Sequence, residues 1–341
     1  MSRIVASGLG AVSSAGWGID PLLAAIDAGA VPALSEFERA TTDGGMIRTK
    51  VARVPKLEDR ARLPRDPRLR RASAVGKFAA AAVYEALGPE RFEAVRSGRV
   101  RLGVVCTMMN GCVNYSNRFF GEVLADPATA SPILFPETVY NAPSSHLSAV
   151  TRCSAPNDTL VGDGAEFFTG LELAAEWLER GDCDLCAVVS PEEADWLSAE
   201  AMNYYSPRMI PSEGAGAVVL ELDGDGPRLL AVPDAVNYAD EPDRPAALDR
   251  VWKDMGVDDD GSVLWADGRV GVARFDAAEN SIPWTGPRFS LRTVLGESLG
   301  ASASLQTVAA LAKLRRGDAR KAVVTAVGGN EGVGGALWSA S

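Results

Sequence analysis

The sequence predicts an α/β fold, a layered αβαβα arrangement built from two similar halves. Apolar, β-branched runs of strand length alternate with helix-length stretches along the chain, the pattern of a sheet covered by helices on both faces. The second half repeats this grammar more loosely than the first. At 341 residues and 47% hydrophobic content, the chain can also bury a core large enough for two such halves. The boundary is placed between residues 1–224 and a shortened second half, 225–341. A mainly parallel sheet is expected.

In chain order, "RIVASGLGAVSS" (3–14) reads as a strand ending in small residues and "DPLLAAIDAGA" (20–30) as a short helix. Residues 43–71 are proline-broken and read as irregular. "ASAVGKFAAAAVYEAL" (72–87) is an alanine-rich helix whose small face packs closely. "VRLGVVCTMMNG" (100–111) is a buried strand running into a polar turn. Residues 122–152 form a long, proline-punctuated connection with a short helix near its end, and connections of that length usually carry function. Residues 155–184 read as strand, tight turn and helix with Gly164 at the apex. Strands follow at 184–194 and 213–222. Beyond them come a helix at 244–256, a strand ending in a turn at 262–271, an amphipathic helix at 304–317, and two strands around a glycine turn at 321–341.

Charge and cysteine usage narrow the function. Lys+Arg 34 against Asp+Glu 45 gives a net charge of −11, which argues against nucleic acid or an anionic membrane as partner. The start has no apolar core with a small-residue cleavage site, and no apolar run reaches the length of a membrane span, so a cytoplasmic protein is expected. Five cysteines are an odd count in a long chain and read as free thiols. Cys183 and Cys186 have a metal-like spacing, but no second pair follows and the one histidine, His146, is remote. Packing at a strand start is the reading for both, and neither metal nor cofactor is expected.

Several segments together resemble the β-ketoacyl-acyl carrier protein synthases, or ketosynthases, the condensing enzymes of fatty acid and polyketide synthesis, which have the thiolase fold. "IVASGLGAVSSAGWG" is similar to their first strand and turn, "SPILFPETVYNAPSSHLSAV" to their SP…FP…N…HL segment, and "SEGAGAVVLEL" to their DGAG strand. "LGESLGASAS" resembles the GH..GA motif, and the glycine-rich end resembles the closing GFGG turn. The resemblance covers most of the chain and implies a thiolase-like fold. It places the family's nucleophilic cysteine at Gly164, between Pro156 and the pair Gly181-Asp182. It places the two catalytic histidines at Asp267 and Glu297, and the supporting lysine at Arg292. His146 falls in the HL segment, where the resemblance implies a structural part.

These substitutions change the chemistry. Condensation needs a thiolate to accept the acyl chain, and glycine has nothing to acylate. A histidine donates to a thioester oxygen at neutral pH, whereas ionised Asp267 and Glu297 only accept and repel a developing enolate. Arg292 is expected to neutralise Glu297. The other nucleophile candidates, Cys106 and Cys112, have no histidine near them in sequence and read as packing. Met108, Met109, Asn110 and Cys112 are candidates for shaping a chain-sized cavity or an interface, with core packing as the alternative. Arg60, Arg62, Arg65, Arg68, Arg70 and Arg71 are candidates for docking an acidic carrier protein, with solvated surface as the alternative.

The resemblance implies a catalytically degenerate subunit of the chain-length-factor type. Such a subunit pairs with an active ketosynthase and shapes the acyl tunnel in type II polyketide, polyene or fatty-acid-like biosynthesis. The partners implied are that ketosynthase, or a second copy of this chain, and an acyl carrier protein. The competing reading is a repurposed enzyme that uses Asp163, Asp267 or Glu297 to hydrolyse, decarboxylate or cyclise a carrier-bound chain. Convergent carboxylates in an open cavity favour the enzyme; a filled cavity with Glu297 paired to Arg292 favours the scaffold.

Overall fold

The computed structural model describes residues 3–41, 43–258 and 260–341. The first part of the chain forms β1 (Ile4–Ser13), β2 (Gly16–Trp17), α1 (Ile19–Ala28), β3 (Ser35–Ala40), β4 (Met46–Val51), α2 (Ala74–Arg96) and β5 (Leu102–Met108). It continues through α3 (Val113–Ala125), α4 (Ala142–Thr151), β6 (Asn157–Val161), α5 (Glu166–Arg180), β7 (Leu185–Glu192), α6 (Trp196–Tyr205) and β8 (Gly214–Leu222). The remainder forms β9 (Arg228–Ala231), β10 (Val236–Asn237), α7 (Arg244–Met255), β11 (Leu264–Asp267), α8 (Ala273–Asn280) and β12 (Arg288–Ser290). It closes with α9 (Leu291–Leu295), α10 (Gly300–Arg316), β13 (Lys321–Val327) and β14 (Gly332–Ser339).

Ten strands lie on one hydrogen-bonded path, and its order repeats. The first part runs β6, β5, β7, β8, β1; the second runs β12, β11, β13, β14, β9. The two sets meet where Val5 of β1 pairs with Arg228 of β9. In each set only the outer three strands are parallel, as β6–β5–β7 and β12–β11–β13. The remaining neighbours are antiparallel. The sheet is therefore mixed, which corrects the expectation of a mainly parallel one. β13 and β14 show why: the turn between them is too short for the crossover that parallel neighbours need, so they form a hairpin.

Helices α5 and α10 lie between the two strand sets. α10 packs on β8, β1 and β7 from one set and on β13 and β11 from the other. Around them Phe168, Leu171, Leu305 and Leu311 belong to one buried cluster. The outer layer on one side is α2 with α4, on the other α7 with α8, each over its own apolar cluster. The α7 side includes Trp252, Trp265 and Trp284, which meet one another edge to face.

The central position of α10 overturns the amphipathic reading of 304–317. Residues Gly300–Leu314 are all buried. Their polar members are short or paired inside: Ser304 and Thr307 donate to carbonyls on their own helix, and Gln306 donates to the carbonyls of Asp267 and Thr325. The close packing expected of α2 is present in its sharpest form against β1. A Cβ on Gly8 or Gly10 would lie 2.0 Å from the Ala86 carbonyl oxygen or 1.9 Å from that of Ala82. Only glycine allows β1 to run that near the helix backbone.

Three local readings are corrected. Residues 43–71 are not wholly irregular, because β4 pairs with β3 in an exposed hairpin. Its charged residues hide the apolar alternation that marks a buried strand. α2 runs past residue 87 after a break at Gly88 (φ 68), where Pro89 begins a second piece. The long connection is preceded by α3, a helix with no fully buried residue.

Candidate functional site

β6 delivers the chain into the turn before α5, where Gly164 sits. Its φ is not in the left-handed region that favours glycine. A Cβ built there would meet only Arg292 Nη2 at 3.6 Å and the Ala326 Cβ at 3.7 Å, both ordinary contacts. Neither backbone nor packing demands glycine at this helix start. The side chain is absent although there is room for it.

Asp163, beside it, is a clamp. Its Oδ1 accepts from the Ala165 amide at 3.1 Å, and its Oδ2 from the amides of Gly332 at 3.0 Å and Glu331 at 3.3 Å. It thereby ties the head of α5 to the glycine-rich turn 328–332. The turn is held from its other side by Tyr238, whose hydroxyl donates to Gly328 O at 2.7 Å, and by Arg244 Nη2, which donates to Gly329 O at 2.9 Å. Bonded to three amides, Asp163 has a structural task here.

Glu297 and Arg292 form a buried ion pair, Arg292 Nη1 to Glu297 Oε2 at 2.9 Å. The other Glu297 oxygen accepts from the Leu299 amide at 2.7 Å and the Ser302 hydroxyl at 2.8 Å. Leu299 has φ 50 and ψ −125, a conformation costly for a branched side chain, so this acceptor also holds a strained turn at the start of α10. Arg292 Nε donates to Gln306 Oε1 at 3.3 Å. The expected neutralisation of Glu297 is thus the observed geometry.

Asp267 is placed differently from its reading as a cavity carboxylate. It is fully buried at the end of β11, and its carboxylate is bonded by the Arg269 amide at 3.0 Å, by Arg269 Nε at 3.1 Å and by Arg288 Nε. The neighbouring Gly268, not Asp267, lines the cavity. Two guanidiniums, those of Arg269 and Arg288, hold the carboxylate. Behind it, burial and the Asp267 charge push Glu279 well above the ordinary carboxylate range; its carboxyl accepts from the Gly268 amide and the Thr325 hydroxyl.

Around Gly164, Arg292 and Glu297 there is a cavity of about 260 Å³, lined also by Met109, Asn110, Leu197, Met202, Tyr205 and Phe275. Met109 and Asn110 therefore face it. Met108 does not: it ends β5 at 1% exposure inside the α2-side core, since strand alternation turns it away from its neighbour. Cys112 is also buried, its Sγ 3.4 Å from the Ser73 hydroxyl, and it borders a separate groove with Val113, Phe120 and Tyr140. Burial pushes the Cys112 thiol up to about 12 and raises Cys106 as well, so neither is a thiolate at neutral pH. Cys183 and Cys186 pack beside Gly103, and among the described residues no three His, Cys, Asp or Glu side chains are placed to hold a metal.

His146 meets Glu137 at 2.5 Å, and the second Glu137 oxygen accepts the Ser73 amide at 2.9 Å, which ties α4 to the start of α2. Of the six arginines before α2, Arg62 reaches Glu85 and Arg68 reaches Asp66 and the Ala149 carbonyl. Arg60, Arg65, Arg70 and Arg71 are exposed and make no ion pair with described residues. This group lies apart from the cavity lining.

Sequence reasoning missed α6, which builds one cavity wall, and the buried carboxylate that positions Met109 and Asn110. Glu192 ends β7 and accepts from the amides of Met109, Asn110 and Gly111. The only signal was an acidic pair, "EE", closing an otherwise apolar strand. Burial outweighs these amide donors and pushes Glu192 up to about 8, with its neighbour Glu193 up to about 7. A carboxyl raised in the folded chain keeps a proton that the unfolded chain releases near pH ~4.3, so stability falls as pH climbs from there to about 8. The unfolding midpoint is therefore expected to be several degrees higher at about pH 6 than at about pH 8. Glu192→Gln should flatten that slope; a slope unchanged in the variant would show that Glu192 is ionised in the fold.

Comparison with known proteins places the architecture. No family model matches the sequence and no curated protein matches it. Solved structures do match along the whole chain. One is the ishigamide ketosynthase/chain length factor, with TM-score 0.80, 22% identity, and 99% of each chain covered. Another is the ketosynthase ApeO in complex with its chain length factor ApeC from Xenorhabdus doucetiae, with TM-score 0.81, 15% identity, and 100% of this chain and 98% of that one covered. A third is AntDE:AntF, a type II polyketide acyl-carrier protein in complex with its ketosynthase, with TM-score 0.80, 14% identity, and 100% and 99% covered. The chain has the thiolase-like layered fold of these structures. No helix among the described residues is long and apolar enough to cross a membrane.

Proposed function

We propose that this chain is a subunit of the chain-length-factor type, which pairs with an active ketosynthase, helps to shape its acyl tunnel and performs no condensation itself. One observation carries the reading: the turn at the head of α5 has room for a side chain and bears none, while the facing carboxylate, Glu297, is tied to Arg292. The fold supports it, since the similar structures include a ketosynthase in complex with its chain length factor. Exposed Phe120, Leu124, Ile133 and Phe135 lie on α3 and the following connection, and β6 is the free edge of its strand set. An apolar surface and an open strand edge each suit a partner subunit. In this reading residues 1–224 and 225–341 are the two ketosynthase-like halves. The exposed Arg60, Arg65, Arg70 and Arg71 would meet an acidic carrier protein, and a cytoplasmic setting agrees with five free thiols.

The repurposed enzyme is the weaker reading on geometry. Its acid/base pair needs Asp267 and Glu297 to converge on substrate, and each is instead bonded to arginine, Asp267 outside the cavity lining. The cavity is open, as an enzyme requires, yet its carboxylates are spent.

Co-expression with a ketosynthase encoded beside it, followed by size exclusion with acyl- and malonyl-carrier protein, tests the proposal. A stable heterodimer is expected, with product length altered by Met109→Trp or Asn110→Leu and carrier capture weakened when the four exposed arginines become glutamate. A homodimer that turns over carrier-bound substrate alone, and stops on Glu297→Gln, would overturn it.

A further inference from the structure

We propose that Cys183 and Cys186 are a peroxide-responsive thiol pair, the site at which this chain forms an intramolecular disulfide. The inference is independent of any role beside a ketosynthase. It rests on a contact that the C-x-x-C spacing alone does not give, because residues three apart in a regular strand point to opposite faces. Here Cys183 lies just before β7, and a bend at Asp184 separates it from the strand that carries Cys186. Gly103 of β5 is the partner of Cys186 in the parallel β5–β7 register. A Cβ on Gly103 would lie 3.1 Å from the Cys183 Sγ and 3.2 Å from the Cys186 Sγ. The missing side chain leaves the space that both sulfurs enter, and the two thiols hydrogen-bond to each other there.

The two thiols differ in the way that stepwise oxidation requires. Cys183 is buried, but exposed Gly181 and Asp184 flank it, so it lies one layer from solvent. Arg101 rims the same spot, donating to Gly181 O at 3.0 Å and pairing with Asp184 at 2.6 Å. The bond from Cys186, with the Gly103 amide and the Arg101 charge, lowers the Cys183 thiol against the cost of its burial. Cys186 is fully buried, and burial raises it. Cys183 is therefore the nucleophile and Cys186 the resolving thiol. Cys106 and Cys112 are raised by burial instead, so the reactive thiol is at the surface end of α5.

The co-reactant is hydrogen peroxide. The Cys183 thiolate attacks one peroxide oxygen, the O–O bond breaks, and the leaving hydroxide takes up a proton to depart as water. The Cys183 sulfenic acid remains. The Cys186 sulfur then attacks the sulfenic sulfur, the S–O bond breaks, and the Cys186 proton leaves with that oxygen as a second water. Two thiols are oxidised to one disulfide and one peroxide is reduced to two waters. The new bond closes the bend through which α5 feeds into β7.

Mass spectrometry of the reduced, folded chain after brief exposure to hydrogen peroxide at neutral pH tests this. The expected product has lost two hydrogens and two alkylatable thiols, and the tryptic peptide 181–208, which holds both cysteines, carries the whole loss. Cys183→Ser should remove that product entirely. Cys186→Ser should leave a Cys183 sulfenic acid that dimedone captures. Should the Cys186 variant fold poorly, the wild-type peptide and the Cys183 variant still decide. All five thiols alkylated after peroxide, a disulfide through Cys153, Cys183 overoxidised with no disulfide, or a disulfide formed only in the urea-unfolded chain would each overturn the proposal. The ketosynthase-pairing experiment reads a different property, so either result can fail without the other.

Discussion

Arg292→Ala is expected to lower the free energy of unfolding by about 3–5 kcal/mol, the range for removing one partner of a buried ion pair. Its side chain and that of Glu297 are 6% and 8% exposed, so the pair is largely withdrawn from water. Glu297 also cannot move to solvent, because its second oxygen holds the Leu299 amide and the Ser302 hydroxyl at the start of α10. That helix is the central layer of the fold, and damage at its first turn spreads to both strand sets. The double variant Arg292→Met, Glu297→Gln should recover most of the loss, since two neutral groups of similar shape leave no buried charge behind. Urea unfolding of the single and double variants measures both. A single-variant loss under about 1 kcal/mol, the range of exposed pairs, would mean that the pair is hydrated and the wall around Gly164 is not rigid.

The elements most legible in the sequence are those whose burial is one-sided or total over a long run. β1, β5, β7 and β8 are almost wholly buried, and their β-branched runs say so. The hairpin β3–β4 and helix α3 carry little burial, so hydrophobic pattern had nothing to report. α10 misled for the opposite reason: its small polar residues mimic a solvent face, and only the tertiary structure shows their acceptors inside. At the site, Gly164 as the turn residue before α5 follows from the strand-turn-helix pattern, and the pairing of Glu297 with Arg292 follows through the resemblance. The rotation of Asp267 toward Arg269 and Arg288 does not, because Arg288 is brought beside it by the parallel pairing of β11 with β12. Met108 and Met109 were inseparable in sequence and fall on opposite sides of a strand end.

Gly164→Cys is expected to gain an acylatable thiol without gaining condensation. The new Cβ fits, and both the N-terminus of α5 and the Arg292 guanidinium favour a thiolate there. An acyl thioester reagent should therefore add one acyl group per chain, read by mass spectrometry as an increase that the wild-type chain does not show. The second step is different. Carbon–carbon bond formation with a malonyl thioester needs donors for the enolate oxygen, and the positions that the resemblance assigns to them hold Glu297, an acceptor, and Asp267, buried against two arginines. Losing one such donor costs about 10²–10³ in rate, so losing two costs about 10⁴–10⁶. Arg292 Nη2 remains as a single donor beside the acyl carbonyl, on the wrong partner of the reaction. Acylation with no detectable product from malonyl-carrier protein is the expected result. Product formation by this variant alone would instead mean that the carboxylates at 267 and 297 are compatible with condensation, and that one missing thiol is all that separates this fold from an active enzyme.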